Sequence, residues 1–131
     1  MQDRFKFRVW YSYGYPDKQH IMLYNAEQTY DFMRGEPEII PAECFGELLE
    51  DNKSFTVMQC TGLKDKNGRL IYESDIVSDG YDKYVVEWSE YYIQFQFRDL
   101  SEEFKVVYTI EQLLPLEVVG NIYENGELLK C

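Results

Sequence analysis

The sequence predicts a mainly β fold with minor α: a small antiparallel, SH3-like or bent-sheet barrel with an N-terminal hairpin and one short helix. Three observations carry this expectation. Apolar and polar residues alternate with period two over residues 5–11 and again over 93–98. Tight-turn chemistry recurs at Asp65-Lys66-Asn67-Gly68, Asp79-Gly80 and Glu124-Asn125-Gly126. From residue 53 onward the chain reads as nearly all strand, beginning with the β-branched and aromatic run 54–61.

Taken in order, Phe5, Phe7, Val9 and Tyr11 alternate with Lys6 and Arg8, the pattern of a half-buried strand. Gly14 and Pro16 mark a turn, and residues 20–24 supply the second arm of a hairpin. Residues 25–38 are ambiguous. Residues 41–51 predict the helix. Pro41 suits the first helical position, and Cys44, Phe45, Leu48 and Leu49 form one apolar face. Glu43 favours the positive helix start, whereas Glu50 and Asp51 oppose the negative end, so this helix leans on tertiary packing. Short strands follow at 70–72 and 76–78, on either side of Glu73-Ser74-Asp75. Residues 83–88 place Tyr84, Val86 and Trp88 on one face, and Ile93, Phe95 and Phe97 alternate with Gln94, Gln96 and Arg98. Residues 104–108 continue the strand pattern. A helical turn at 110–114 stops at Pro115, and 116–123 forms the last strand.

With 131 residues, the chain forms a single domain, 1–131, within which an N-terminal subdomain 1–52 and a β-barrel-like subdomain 53–131 can be drawn. Apolar residues at 45% and charged residues at 28% fit a globular chain with a sizeable core rather than a disordered or membrane-embedded one. The net charge of -11 opposes binding to a phosphate backbone, whose affinity rests on Lys and Arg displacing counterions. The one basic cluster, Arg4, Lys6 and Arg8, reads as a solvated strand face. Cys44, Cys60 and Cys131 form no paired motif and no zinc pattern with the single histidine. The N-terminus lacks the apolar segment of a signal peptide, and no apolar run approaches the roughly 18 residues of a membrane span. The expected location is the cytoplasm, with reduced thiols.

Catalytic, cofactor-binding and metal-binding residues are not indicated. His20, the sole histidine, would have to serve any Ser/His or Cys/His nucleophilic pair, and its apolar strand favours a structural or surface role. Glu36 with Glu38 and Glu102 with Glu103 are close in sequence but otherwise indistinguishable from solvated charge. A calcium loop opening at Asp65 would need glutamate at its twelfth position, which is Ile76. Asp79 and Asp82 offer only weak support for a cation site. The aromatic residues are more informative: twelve Tyr, eight Phe and two Trp are more than a small core must hold. Trp88, Tyr91, Tyr92, Phe95 and Phe97 cluster along one hairpin and form the candidate interaction surface, with strand alternation expected to send some rings to each face.

The segment Thr61-Gly62-Leu63-Lys64-Asp65-Lys66-Asn67-Gly68, followed by Ile71-Tyr72-Glu73 and Asp75-Ile76-Val77, resembles the signature of the YopX family. Val86-Glu87-Trp88, Val119-Gly120-Asn121-Ile122-Tyr123-Glu124-Asn125 and the opening Phe5-Lys6-Phe7-Arg8-Val9-Trp10 are similar to that family as well. Two positions depart from it: Ser74 stands where the family usually has glycine, and Gly126 where it usually has proline. Ser74 therefore argues against a glycine-only backbone there. The resemblance implies a phage or prophage origin, a β-rich fold and the cytoplasm of a bacterial host, and brings no established activity, catalytic residue or cofactor. Physically the motif is turn chemistry and strand packing.

The expected function is that of a non-enzymatic phage accessory protein acting through protein–protein contacts or homo-oligomerisation, with itself or another protein as partner, no membrane, and nucleic acid disfavoured. The alternatives are a nucleic-acid-linked role, by SH3-like or OB-like binding or acidic mimicry, and an unrecognised carboxylate hydrolase.

Overall fold

The computed structural model describes residues 5–14, 17–26, 50, 54–100, 107–108 and 115–129. Its strands form two antiparallel sheets, one curled into a half-barrel. The four-stranded sheet runs in the order Gln19–Tyr24, Phe7–Tyr13, Phe55–Lys64, Leu70–Tyr72, and the five-stranded one Val107–Tyr108, Gln94–Asp99, Lys83–Ser89, Asp75–Ser78, Glu117–Asn121. The chain divides into two compact units, residues 1–60 and 61–131, and each is described by itself.

In the first unit, β1 (Phe7–Tyr13) and β2 (Gln19–Tyr24) form the expected N-terminal hairpin, with Val9 opposite Leu23 and Ser12 opposite His20. The start of β3 (Phe55–Lys64) pairs on the other side of β1, Val9 facing Val57. Val9, Leu23, Ala26 and Phe55 make a buried cluster, with Phe7, Tyr11 and Val57 packed against it.

Arg8 overturns the expectation of a solvated basic face. It lies on a strand with neighbours on both edges and is buried. Its guanidinium lies over the Tyr24 ring, 5.8 Å from the centroid, and Nη1 donates to the Tyr24 hydroxyl at 3.5 Å. A cation over an aromatic face recovers part of the hydration that burial removes.

The second unit opens with the end of β3 and continues through β4 (Leu70–Tyr72), β5 (Asp75–Ser78), β6 (Lys83–Ser89), β7 (Gln94–Asp99), β8 (Val107–Tyr108) and β9 (Glu117–Asn121). A short 3-10 helix, Gly126–Leu129, follows. The β6–β7 register sets Val86 opposite Phe97 and Trp88 opposite Phe95. Since alternate residues share a face, Tyr84, Val86, Trp88, Phe95 and Phe97 all lie on the core side. Tyr84, Val86 and Phe97 join Ile71, Val77, Leu116 and Val118 in the buried core, with Phe95 half-buried against it. Between β5 and β9 the register shifts at Ile76/Val77, and a bulge of this kind increases local twist.

Ile93 does not extend β7 as its alternation suggested. It belongs to the turn joining β6 to β7, at φ 55°. Apart from Glu50, which is helical, the helix expected over 41–51 lies outside the described residues, as do residues 27–38 of the ambiguous segment 25–38, strand residues 104–106 and the turn at 110–114. No helix among the described residues is long and apolar enough to cross a membrane.

Candidate functional site

The polar side chains of the turn motifs hold the backbone around them. Asp65 closes the β3–β4 connection. Its Oδ1 accepts the N–H groups of Asn67 at 2.9 Å and Arg69 at 2.8 Å, and its Oδ2 accepts that of Val118 on β9 at 2.9 Å. Burial alone would push this carboxyl up. The N–H groups of Val118, Arg69 and Asn67, helped by the Arg69 charge, outweigh burial and hold it below the usual carboxylate range. The same turn carries Gly68 at φ 82°, a conformation that glycine adopts without steric cost.

Asp75, also buried, accepts the Tyr72 N–H on Oδ2 at 2.7 Å, tightening the turn between β4 and β5. Within that turn Ser74 adopts φ 73°. Its N–H donates to the Val86 carbonyl at 2.7 Å, and its own carbonyl accepts from Ile122 N–H at 3.0 Å. The position is left-handed, a region that favours glycine but is not closed to other residues, since serine occupies it here. Two long-range backbone bonds hold it in that region.

At the end of β9, Asn121 Oδ1 accepts the N–H groups of Tyr123 at 3.0 Å and Glu124 at 2.8 Å, while Asn125 Oδ1 accepts the Asn121 N–H at 3.1 Å. Gly120 makes room for this arrangement: a Cβ there would lie 2.6 Å from Asn125 Oδ1. At the β5–β6 turn, Asp79 Oδ1 accepts the N–H groups of Tyr81 and Asp82, and Oδ2 accepts the Tyr84 hydroxyl at 3.0 Å. These bonds, led by those from Asp82 and Tyr81, lower the Asp79 carboxyl. Burial, reinforced by Asp79, raises the Tyr84 phenol well above its ordinary range. The Asp79 carboxylate is thus occupied by the turn. Among the described residues no group of three or more His, Cys, Asp or Glu is arranged to hold a metal.

His20 is exposed on β2. Its Nδ1 lies 2.8 Å from Ser12 Oγ across the hairpin, and its ring stacks on Trp10 with centroids 5.5 Å apart and planes 3° from parallel. The Ser12–His20 distance suits a nucleophile and base, but His20 is exposed and Ser12 half-buried on the surface of a two-strand hairpin. Cys60 is buried; Cys44 and Cys131 lie outside the described residues, as do Arg4 and the carboxylates at 36, 38, 102 and 103.

The five candidate aromatic residues divide by position along their hairpin. Phe97 is a core residue, 1% exposed, and Phe95 is half-buried beside the core. Trp88 sits on the same face nearer the turn, 42% exposed, meeting Phe95 edge-on at 5.0 Å. Tyr91 and Tyr92 occupy the turn itself, 87% and 64% exposed, with their rings in edge contact at 4.8 Å. What exposes these rings is distance from the core along the hairpin, rather than alternation between faces. Ile93, in the same turn, is 75% exposed. Residues 89–94 contain no Gly, Pro, Asn or Asp to mark a turn; Ser89 is the subtler sign, its Oγ accepting the Tyr92 N–H at 3.1 Å.

Around the tip, Glu90 is exposed. Glu87 is engaged along the sheet by Gln96 Nε2 at 2.9 Å and by Arg98 Nε at 3.3 Å. The tip therefore presents rings, one aliphatic side chain and a carboxylate.

The family model described as "YopX protein" matches residues 6–130. Among solved structures, protein EF1440 from Enterococcus faecalis is similar, at 21% sequence identity and a TM-score of 0.48, with 95% of this chain and 97% of that one covered. No curated protein matches the chain.

Proposed function

We propose that this chain, which belongs to the YopX family, is a phage- or prophage-derived accessory protein that works without catalysis, by presenting the tip of its β6–β7 hairpin to another protein surface. The observation that carries this reading is the exposure of Trp88, Tyr91, Tyr92 and Ile93 together at one hairpin end. Single exposed apolar residues are ordinary, but a group rich in Tyr and Trp gathered at one hairpin end has the composition of interface hot spots. Each ring buried on contact would contribute roughly 2 kcal/mol before ordering costs. The signature polar residues support the same reading from the other side, because Asp65, Asp75, Asn121 and Asn125 are engaged in holding turns. The family signature then describes a scaffold, and the hairpin tip is what the scaffold displays.

Site-specific photo-crosslinking tests this. A crosslinker replacing Tyr92 should give a discrete adduct in bacterial host lysate, abolished by Trp88→Ala and Tyr91→Ala. The same crosslinker replacing Tyr81, at the exposed β5–β6 turn, should give none of that size. Equal labelling from both positions would defeat the proposal.

A further inference from the structure

We infer that the β6–β7 tip recognises arginine side chains on a basic partner protein, an inference that rests on the protein-contact reading above and specifies its partner. Three features of the tip select this chemistry.

The first is its charge. Residues 84–97 contain Glu87 and Glu90 and no Lys, Arg or His. Glu87 is engaged by Arg98, which leaves Glu90 as the exposed carboxylate beside the rings. The whole chain carries -11. A second copy or an anionic lipid surface would approach against that charge, whereas a basic surface would be drawn to it.

The second is the chemistry of the rings. Trp and Tyr faces are the negative part of the aromatic quadrupole and attract cations. A guanidinium is planar, stacks on such faces and can bond a carboxylate through two parallel N–H groups. An ammonium can do the first weakly and lacks the paired geometry of the second. Trp88, near the end of β6, and Tyr91 and Tyr92, in the turn, flank Glu90 in sequence, which places rings and a carboxylate at one hairpin end. Arg8 over the Tyr24 ring shows the same pairing inside this molecule.

The third is the backbone. Ile93 holds φ 55°, a region costly for a β-branched residue. The Ser89 Oγ bond to Tyr92 N–H and the β6–β7 ladder on both sides fix the turn. The rings are thus mounted on a short, constrained turn rather than a long loop, which lowers the ordering cost of binding.

The test titrates the intact chain with an acetylated hexa-arginine peptide and with its hexa-lysine counterpart at physiological ionic strength, followed by calorimetry. The wild type should bind the arginine peptide roughly tenfold more tightly than the Tyr91→Ala/Tyr92→Ala variant, which has the same charge, and several-fold more tightly than it binds the lysine peptide. Glu90→Gln should weaken the arginine peptide more than the lysine one. Matching melting curves for all variants would show that the scaffold is intact. Equal affinity of wild type and double variant would overturn the inference, since binding would then be diffuse attraction to an acidic surface. Equal affinity for the two peptides, no binding at all, or ring-dependent partitioning onto phosphatidylcholine vesicles would overturn it as well. Each of those results leaves the crosslinking comparison of positions 92 and 81 to decide the broader reading independently.

Discussion

Asp65 Oδ2 accepts the backbone N–H of Val118 at 2.9 Å, joining residues 53 positions apart in sequence. The same carboxylate holds its own turn through Asn67 and Arg69. One side chain therefore sets both the local β3–β4 connection and the place of β9 beside it. Hydrogen bonds to a charged acceptor contribute more than neutral ones, and one buried and two part-buried backbone donors would lose theirs together. Asp65→Ala should cost about 3 kcal/mol in urea unfolding, while replacing exposed Glu90 by Ala should stay within about 0.5 kcal/mol. Equal midpoints for the two variants would remove Asp65 from its structural role.

The same bonds make stability depend on pH in a defined direction. Burial raises the Asp65 carboxyl, but the N–H groups of Val118, Arg69 and Asn67 overcome that and lower it from 3.8. A carboxyl lowered on folding contributes stability that is fully present above its unfolded value. That contribution is lost as pH falls through the folded value. Asp79 is lowered by its turn bonds and adds in the same sense. Stability should be level from neutrality to about pH 5 and fall below about pH 4. The fall should be shallower in Asp65→Ala, as read from thermal midpoints across the acid range.

Ser74 gives a case in which substitution should strengthen the protein. At φ 73°, pinned by Val86 and Ile122, an L-residue incurs roughly 1–2 kcal/mol that glycine avoids. Glycine's greater unfolded-state freedom returns roughly 0.5–1 kcal/mol of that. Ser74→Gly should therefore stabilise by about 0.5–1 kcal/mol, and a loss of stability would show that the serine side chain has an interaction of its own.

How much of this was legible in the sequence depends on whether local chemistry or chain-distant contacts decide the outcome. The N-terminal hairpin, the strands around Ile71, Ile76 and Tyr84, and the turns at Asp65 and Asp79 follow from alternation and turn residues close in sequence. Arg8 could not be read this way, because its burial depends on β2 and β3 closing on both edges of β1 and on Tyr24 lying opposite it. The φ at Ser74 was hidden for the same reason: bonds to Val86 and Ile122 impose it, against the residue's own preference. The aromatic cluster was visible as a cluster. Its division into core and tip was not, since that depends on the register that pairs Trp88 with Phe95 and leaves residues 90–93 as the turn.

Ile93 connects stability to the proposed contact. A β-branched residue in the left-handed region costs on the order of 1–3 kcal/mol, and such strain persists only where the surroundings enforce it. Its side chain is largely exposed, so removing it loses little packing. Ile93→Gly should therefore raise stability by about 1 kcal/mol, a rise of roughly 4 °C in Tm for a chain of this size. Glycine also widens the range of turn conformations and removes apolar surface beside Tyr92. If the tip binds a partner through a fixed arrangement of rings, the more stable variant should bind less well, losing the discrete crosslink formed from position 92. Ile93→Asn tests the two effects apart, because asparagine tolerates the left-handed region but restricts the turn more than glycine. It should keep most of the stability gain and more of the crosslinking. A glycine variant both more stable and undiminished in crosslinking would mean that neither the Ile93 side chain nor the restraint on its backbone serves the contact.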